Sequence, residues 1–228
     1  MIESRADTHV RYSAREYDAY TAQFVKPYDE LMAKRILEER RKRPGLKRLV
    51  DVGTGTAQFL VYLAQLEGLD DLELIGTDLF SDMIDAASEA VKQAGLEHRI
   101  QLVVADAHEL PFPSNFADLI ISRSTLHHWR APTVALREMY RVLRPSGVAL
   151  IMDVRRDPAP DAIAEFNRLR SLSGLGPSHL DEKFTADEVR AFAADAGLAS
   201  VATVYAPTRG IGALGLSLEI EKPHGGSD

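Results

Sequence analysis

The chain has 228 residues, 45% hydrophobic and 27% charged, with a formal net charge of −7 and no cysteine. That length supports one domain spanning residues 1–228, with a core that needs no covalent staples. The lack of cysteine excludes disulfides, thiolate metal sites and thiol nucleophiles. The acidic balance argues against nucleic acid as a partner, since that role calls for a basic face. Residues 1–10 hold acids and polar groups and no apolar signal core, and no apolar run is long enough to span a membrane. The expectation is a cytoplasmic protein with no membrane partner.

Residues 12–43 read as helical, because Tyr17, Tyr20, Phe24, Tyr28, Leu31 and Met32 recur at three- and four-residue spacing. Pro27 breaks this run or starts a second helix. The basic run Arg40-Arg41-Lys42-Arg43 stands at the predicted helix end, where cations favour the negative pole of the helix dipole; that reading is preferred to a phosphate or RNA patch. Helices preceding the first strand, within residues 1–46, must cover the sheet or a ligand mouth. A buried strand follows at Arg48–Val52, then Gly53-Thr54-Gly55, then a helix over Ala57–Glu67. The two glycines permit a sharp turn and close approach of a ligand. The helix start beyond them offers unpaired N–H groups.

A second strand pattern ends at Asp78, and a helix runs from Ser81, its expected N-cap, to Ala94, where Gly95 stops it. Strands are expected at Ile100–Ala105, Phe116–Ser122 and Val148–Val154, with a helix over Thr133–Leu143 closed by Pro145-Ser146-Gly147. A less regular segment leads to a helix at Thr185–Ala196, and strands at Ser200–Ala206 and Gly212–Glu221 form a hairpin. Such β/α alternation predicts a mostly parallel sheet with right-handed crossovers and an antiparallel edge. Ligands of these sheets sit at the carboxyl ends of the strands, where Gly53, Asp78, Asp106 and the loop after Ser122 fall.

The dinucleotide fingerprint asks for a third glycine at position 58, which is Gln58. Asp78 ends strand two, where a carboxylate accepts both hydroxyls of a ribose; a plain turn for the glycines and a helix cap for Asp78 are the alternatives. Taken together, Asp51-Val52-Gly53-Thr54-Gly55 followed by Asp78 resembles the S-adenosylmethionine (SAM) site of class I methyltransferases. The strings Ala105-Asp106-Ala107-His108-Glu109-Leu110-Pro111-Phe112-Pro113 and Glu138-Met139-Tyr140-Arg141-Val142-Leu143-Arg144-Pro145-Ser146-Gly147 are similar to its small-molecule, ubiquinone/menaquinone methylase-like branch. The resemblance covers roughly Val50 to Glu221.

That resemblance implies a Rossmann-like α/β fold, a mostly parallel seven-stranded sheet with an antiparallel C-terminal edge hairpin. It implies SAM as methyl donor, with S-adenosylhomocysteine as product. It places Asp51, Gly53, Thr54, Gly55, Asp78, Leu79, Asp106, Ala107 and Arg123 at the cofactor, with Asp106 on the adenine amino group. It lays the N-terminal helices over the cofactor, where Tyr12, Tyr17 and Tyr20 line the cover or simply anchor a helix. It gives Arg155, within an insert over 155–184, to the substrate side. The acceptor is then a small molecule.

Two departures stand out. Ala57 replaces the third glycine of the family loop, and its methyl is tolerated if the local φ is negative. No Asn/Asp-Pro-Pro-Tyr motif follows strand four, which disfavours amino-group methylation of adenine or glutamine. In the loop Ser122-Arg123-Ser124-Thr125-Leu126-His127-His128-Trp129, His127 or His128 is the candidate base for a substrate proton, or holds the loop. Arg123 pairs with a substrate carboxylate or with an internal acid such as Asp118. Methyl transfer needs chiefly positioning and exclusion of water, so neither a strong acid/base pair nor a metal is required. The alternatives are a SAM-dependent cyclase, a nucleotide-dependent oxidoreductase and a non-catalytic SAM-binding module. The hairpin glycines Gly210, Gly212 and Gly215 suit either a homodimer edge or a bulged edge that avoids pairing.

Overall fold

A computed structural model describes residues 26–172, 180–209 and 211–224. Helix α1 (Lys26–Lys42) comes first, with Pro27 in its opening turn, and leads to β1 (Arg48–Val52) and α2 (Gln58–Ala64). Then follow β2 (Glu73–Asp78), α3 (Ser81–Gln93), β3 (Ile100–Val104) and β4 (Ala117–Arg123). A short 3₁₀ turn at Leu126–His128 precedes α4 (Pro132–Val142), β5 (Leu143–Val154), α5 (Pro160–Leu172), α6 (Ala186–Asp195), β6 (Ala202–Tyr205) and β7 (Gly215–Glu221). The segment expected to be irregular after β5 therefore carries a 13-residue helix, α5.

The seven strands lie in the order β3-β2-β1-β4-β5-β7-β6. Neighbours from β3 to β5 pair in parallel, while β7 pairs antiparallel with both β5 and β6. Alternate residues of the central strands enter two separate cores. Leu49, Leu119, Ile121 and Leu150 pack with Met32, Ile36, Phe59, Leu63, Ala87 and Val91 of α1, α2 and α3. Val50, Ile120, Ala149 and Ile151 pack with Leu136, Met139 and Val189 of α4 and α6. A strand's side chains point to opposite faces in turn, so an unbroken apolar run serves both helical layers.

The C-terminal hairpin forms the antiparallel edge of the sheet, as the sequence predicts. Leu218 and Ile220 are wholly buried, because β7 is slotted between β5 and β6 and leaves β6 as the edge. A Cβ on Gly215 would lie 3.1 Å from the Asp153 carbonyl oxygen, and one on Gly212 would lie 3.2 Å from Pro207 Cγ. Both glycines thus serve close internal packing and present no free edge; Gly210 lies outside the described residues.

Helix α1 runs along β7. Tyr28 lies beside Gly215, Arg35 grips Glu219 through two 2.8 Å hydrogen bonds, and Arg43 reaches Glu221 at 3.3 Å and donates to the Ser146 carbonyl at 2.9 Å. The basic residues at its end are thus tied to the protein's own acids and carbonyls, and the first turn of α1 arrives at the ligand end of the sheet. No described helix is long and apolar enough to cross a membrane.

Candidate functional site

The chain reverses its direction of sheet growth between β1 and β4, and the crevice at their carboxyl ends is where such sheets hold ligands. Gly53 (φ 79°) and Gly55 (φ 56°) both adopt left-handed backbone. The N–H groups of Gly53 and Thr54 donate to the Thr77 carbonyl at 2.8 Å each, which ties the loop to β2. The space beside Gly53 belongs to the protein itself: a Cβ there would lie 2.9 Å from Thr125 Cβ. Gly76, in mid-strand, likewise leaves room for Thr54, 2.9 Å from where its own Cβ would be. The sequence reading assigned the loop glycines to ligand approach and missed these two packing demands.

Ala57 also departs from expectation. Its φ is 57°, so the left-handed conformation of the family glycine persists and the methyl group is carried under strain. The chain accepts this because Ala57 is wholly buried and its N–H is committed to the Thr54 carbonyl.

Asp78 pins the loop and opens the next helix. Its Oδ2 accepts the Gly55 N–H at 2.9 Å and its Oδ1 the Phe80 N–H at 3.1 Å. Each oxygen keeps an acceptor site. Phe80 therefore caps α3, one residue earlier than the expected Ser81. Leu79 is 54% exposed, and Val104, whose Cα pairs with that of Asp78, is 51% exposed. Two large apolar side chains standing open at adjoining strand ends form a shelf suited to a flat ring.

Asp106 is less free than the sequence reading assumed. Its Oδ1 accepts the His108 N–H at 2.9 Å and contacts His108 Nδ1, and its Oδ2 accepts from Arg130 at 3.0 Å. The Ala131 N–H donates to His108 Nε2 at 3.2 Å, so the ring proton sits on Nδ1 and points at Asp106. Burial alone would raise the Asp106 carboxyl, but the His108 N–H, the His108 ring and Arg130 outweigh it and hold it below the usual range. The Ala107 side chain belongs to the core.

Asp51 is 1% exposed, and among the described residues its carboxylate has no well-aligned hydrogen bond, with only the nearby Thr54 hydroxyl to stabilise it besides Arg123. Burial pushes the Asp51 carboxyl up to about 6, with the Arg123 guanidinium pulling the other way. Arg123 itself pairs with Asp29 of α1 and lies 3.9 Å over the Phe59 ring. Its suggested partner Asp118 is at the opposite end of β4, where it accepts the Lys47 and Arg48 N–H groups at 3.0 and 2.8 Å and pairs with Arg144. Five residues of extended strand separate Asp118 from Arg123, roughly 16 Å.

His127 is buried, and Asp153 of β5 takes both its backbone N–H at 3.0 Å and its Nδ1 at 2.8 Å. Nδ1 therefore carries a proton, and Nε2 is left as the other ring nitrogen. The Asp153 carboxyl would be raised by burial, but His127 outweighs this and keeps it low. Lys183 lies near enough to act on Asp153, while burial lowers its own ammonium. The His128 ring packs against His127 at a 45° tilt, 3.9 Å between centroids. Arg155 is turned inward, bonded to Asp157 at 2.9 Å and to the Ala206 carbonyl at 3.4 Å. Tyr12, Tyr17 and Tyr20 lie outside the described residues. Asp29, Asp153, Phe59 and Thr125 were missed in the sequence, which carries no local signal for contacts made across the fold.

The site fits a cationic nucleoside such as SAM on its own chemistry. A buried carboxylate that Arg123 and Thr54 only partly offset suits a cation, and an acid with spare acceptor sites stands beside an apolar shelf. Comparison with known proteins points the same way. Residues 50–151 match a family model described as "Methyltransferase domain". The chain is 27% identical over 171 residues to the ubiquinone/menaquinone biosynthesis C-methyltransferase UbiE of Coxiella burnetii, spanning 67% of this chain and 68% of that protein. Its fold resembles the crystal structure of a SAM-dependent methyltransferase from Aquifex aeolicus, with TM-score 0.59, 24% identity and coverage of 81% of this chain and 88% of that one. It also resembles that of the [4+2]-cyclase SpnF, with TM-score 0.56, 20% identity and coverage of 86% and 82%. The methyltransferase domain over residues 50–151 and the UbiE relatives together support a class I SAM-dependent methyltransferase with SAM as its cofactor.

Proposed function

We propose that the protein methylates a small-molecule acceptor by direct displacement, with His127 as the base that receives the acceptor's proton. The observation that carries this reading is the Asp153–His127 pair: a buried carboxylate fixes the ring tautomer at the 2.8 Å Nδ1 contact, in the loop that follows β4. SAM supplies a methyl group already activated on a sulfonium. Asp51 and Arg123 hold its amino-acid end, Asp78 its ribose, and Leu79 and Val104 its adenine ring. Asp106 supports the adenine edge with the acceptor capacity left after His108 and Arg130. Asp153 orients His127, and burial of the pair excludes water from it.

The name of the Coxiella relative places that protein in ubiquinone/menaquinone biosynthesis as a C-methyltransferase, which favours carbon as the reacting atom here. A SAM-dependent cyclisation is the second reading, favoured by the shared fold with SpnF.

Calorimetric titration with S-adenosylhomocysteine, with NAD as control, tests the cofactor assignment first. Micromolar binding of the former alone supports it, and binding of NAD alone overturns it. A mass-spectrometric screen of small acceptors then follows product. Methylated product with stoichiometric S-adenosylhomocysteine supports transfer, whereas an isomerised product with SAM unconsumed supports the cyclase reading.

A further inference from the structure

Arg123 is surrounded by more negative charge than it can neutralise. Asp29, in the first turn of α1, is paired with it directly. Asp51, with no well-aligned hydrogen bond among the described residues, lies within its field, and Asp29 and Asp78 both add like charge there. The guanidinium also lies over the Phe59 ring, 3.9 Å from its centroid, so Asp29 is not its only support. Its side chain is 14% exposed, and that of Asp29 is 23% exposed. Asp29 is the more exposed partner of a largely buried cation, with a carboxylate whose burial raises its pKa against the pull of Arg123.

Building on the SAM assignment above, we infer that Asp29 is an internal stand-in for the cofactor's α-carboxylate, occupying on Arg123 the position that carboxylate takes when the cofactor binds. The zwitterionic end of the cofactor matches the cluster in both signs: its carboxylate replaces Asp29 on Arg123, and its ammonium meets the buried Asp51. Cofactor entry thus exchanges one ion pair for another and releases Asp29. The exchange also breaks the ion pair that links the first turn of α1 to β4. Asp29 sets cofactor affinity by competition, and it acts only on ligands that carry the carboxylate.

The test compares two ligands by calorimetry on the full chain. S-Adenosylhomocysteine carries the amino-acid end; 5′-methylthioadenosine has the same nucleoside and thioether without it. Asp29→Asn should tighten S-adenosylhomocysteine by about three- to tenfold and leave 5′-methylthioadenosine unchanged. Asp29→Glu, which keeps the charge, should bind both as wild type does. Arg123→Met should abolish the preference for S-adenosylhomocysteine and make a further Asp29→Asn change silent. Weaker or unchanged binding of S-adenosylhomocysteine by Asp29→Asn overturns the inference, as does equal tightening of both ligands. If the wild-type protein binds neither ligand, it is the cofactor assignment that fails, and this inference fails with it.

Discussion

Thr125 fills the volume that a side chain on Gly53 would need, its Cβ 2.9 Å from where that atom would stand. The loop after β4 therefore rests on the loop after β1, and Ser122 completes the joint by donating to the Val52 carbonyl at 2.8 Å. The glycine loop and the segment that bears His127 form one packed unit. Gly53→Ala should consequently do more than strain a positive φ. It should lower the melting temperature by several degrees, consistent with about 1–2 kcal/mol of backbone strain plus the clash, and it should reduce turnover by displacing His127. A variant that melts and turns over like wild type would show that the joint yields freely.

Ala57 makes the opposite prediction. Its φ of 57° is left-handed, and an L-residue with a Cβ is disfavoured there. Ala57→Gly should stabilise the protein by up to about 1 kcal/mol, less whatever glycine adds to the entropy of the unfolded chain. Urea denaturation measures this, and a clear loss of stability would contradict the strain.

Asp51 is a buried carboxylate carried at the expense of stability, which the proposed contact with the cofactor's ammonium would explain. Its folded pKa of about 6 stands above its ordinary value of 3.8, so the folded state holds the proton more tightly than the unfolded state. Its destabilising effect is therefore full above pH 6 and fades as the pH falls from about 6 to about 4. Asp51→Asn should raise the stability of the unliganded protein at pH 7–8 by up to ~3 kcal/mol, with the gain vanishing toward pH 4. The same variant should lose affinity for S-adenosylhomocysteine. Unfolding curves of both proteins over that pH range give the difference directly, and a gain that grows as the pH falls would reverse the assignment.

Asp78→Ala removes an acceptor from the Gly55 N–H as well as from the proposed ribose. With charged hydrogen bonds of about 1.5–3 kcal/mol each, affinity for S-adenosylhomocysteine should fall roughly tenfold to a few hundredfold in a folded protein. Calorimetry with circular dichroism as the folding control checks this; unchanged affinity would remove Asp78 from the site.

His127→Gln should lower kcat by about 10²–10⁴-fold while S-adenosylhomocysteine still binds. Asp153→Asn should lower kcat in the same direction and shift the pH dependence of kcat, because an amide no longer fixes the Nδ1–H tautomer. A merely structural Asp153 would change stability and leave the pH profile of the remaining activity in place. Two folded variants with full activity would dismiss the pair as a base.

The alternation of strands and helices, the parallel sheet, the burial of β1 and the acids at the strand ends were all legible in the sequence, because each follows from a local period or a turn residue. The glycine loop and its acid at Asp78 were legible for the same reason: they lie close to the strands that carry them. Tertiary structure alone decided the partners. Asp29 and Arg123 are 94 residues apart and Asp153 and His127 are 26 apart. No periodicity marks which carboxylate meets which cation once the sheet brings distant strand ends together. It also set the sign of φ at Ala57 and placed β7 inside the sheet. Both depend on how neighbouring segments fill space, and an alanine or a strand reads the same in sequence whichever way that packing falls.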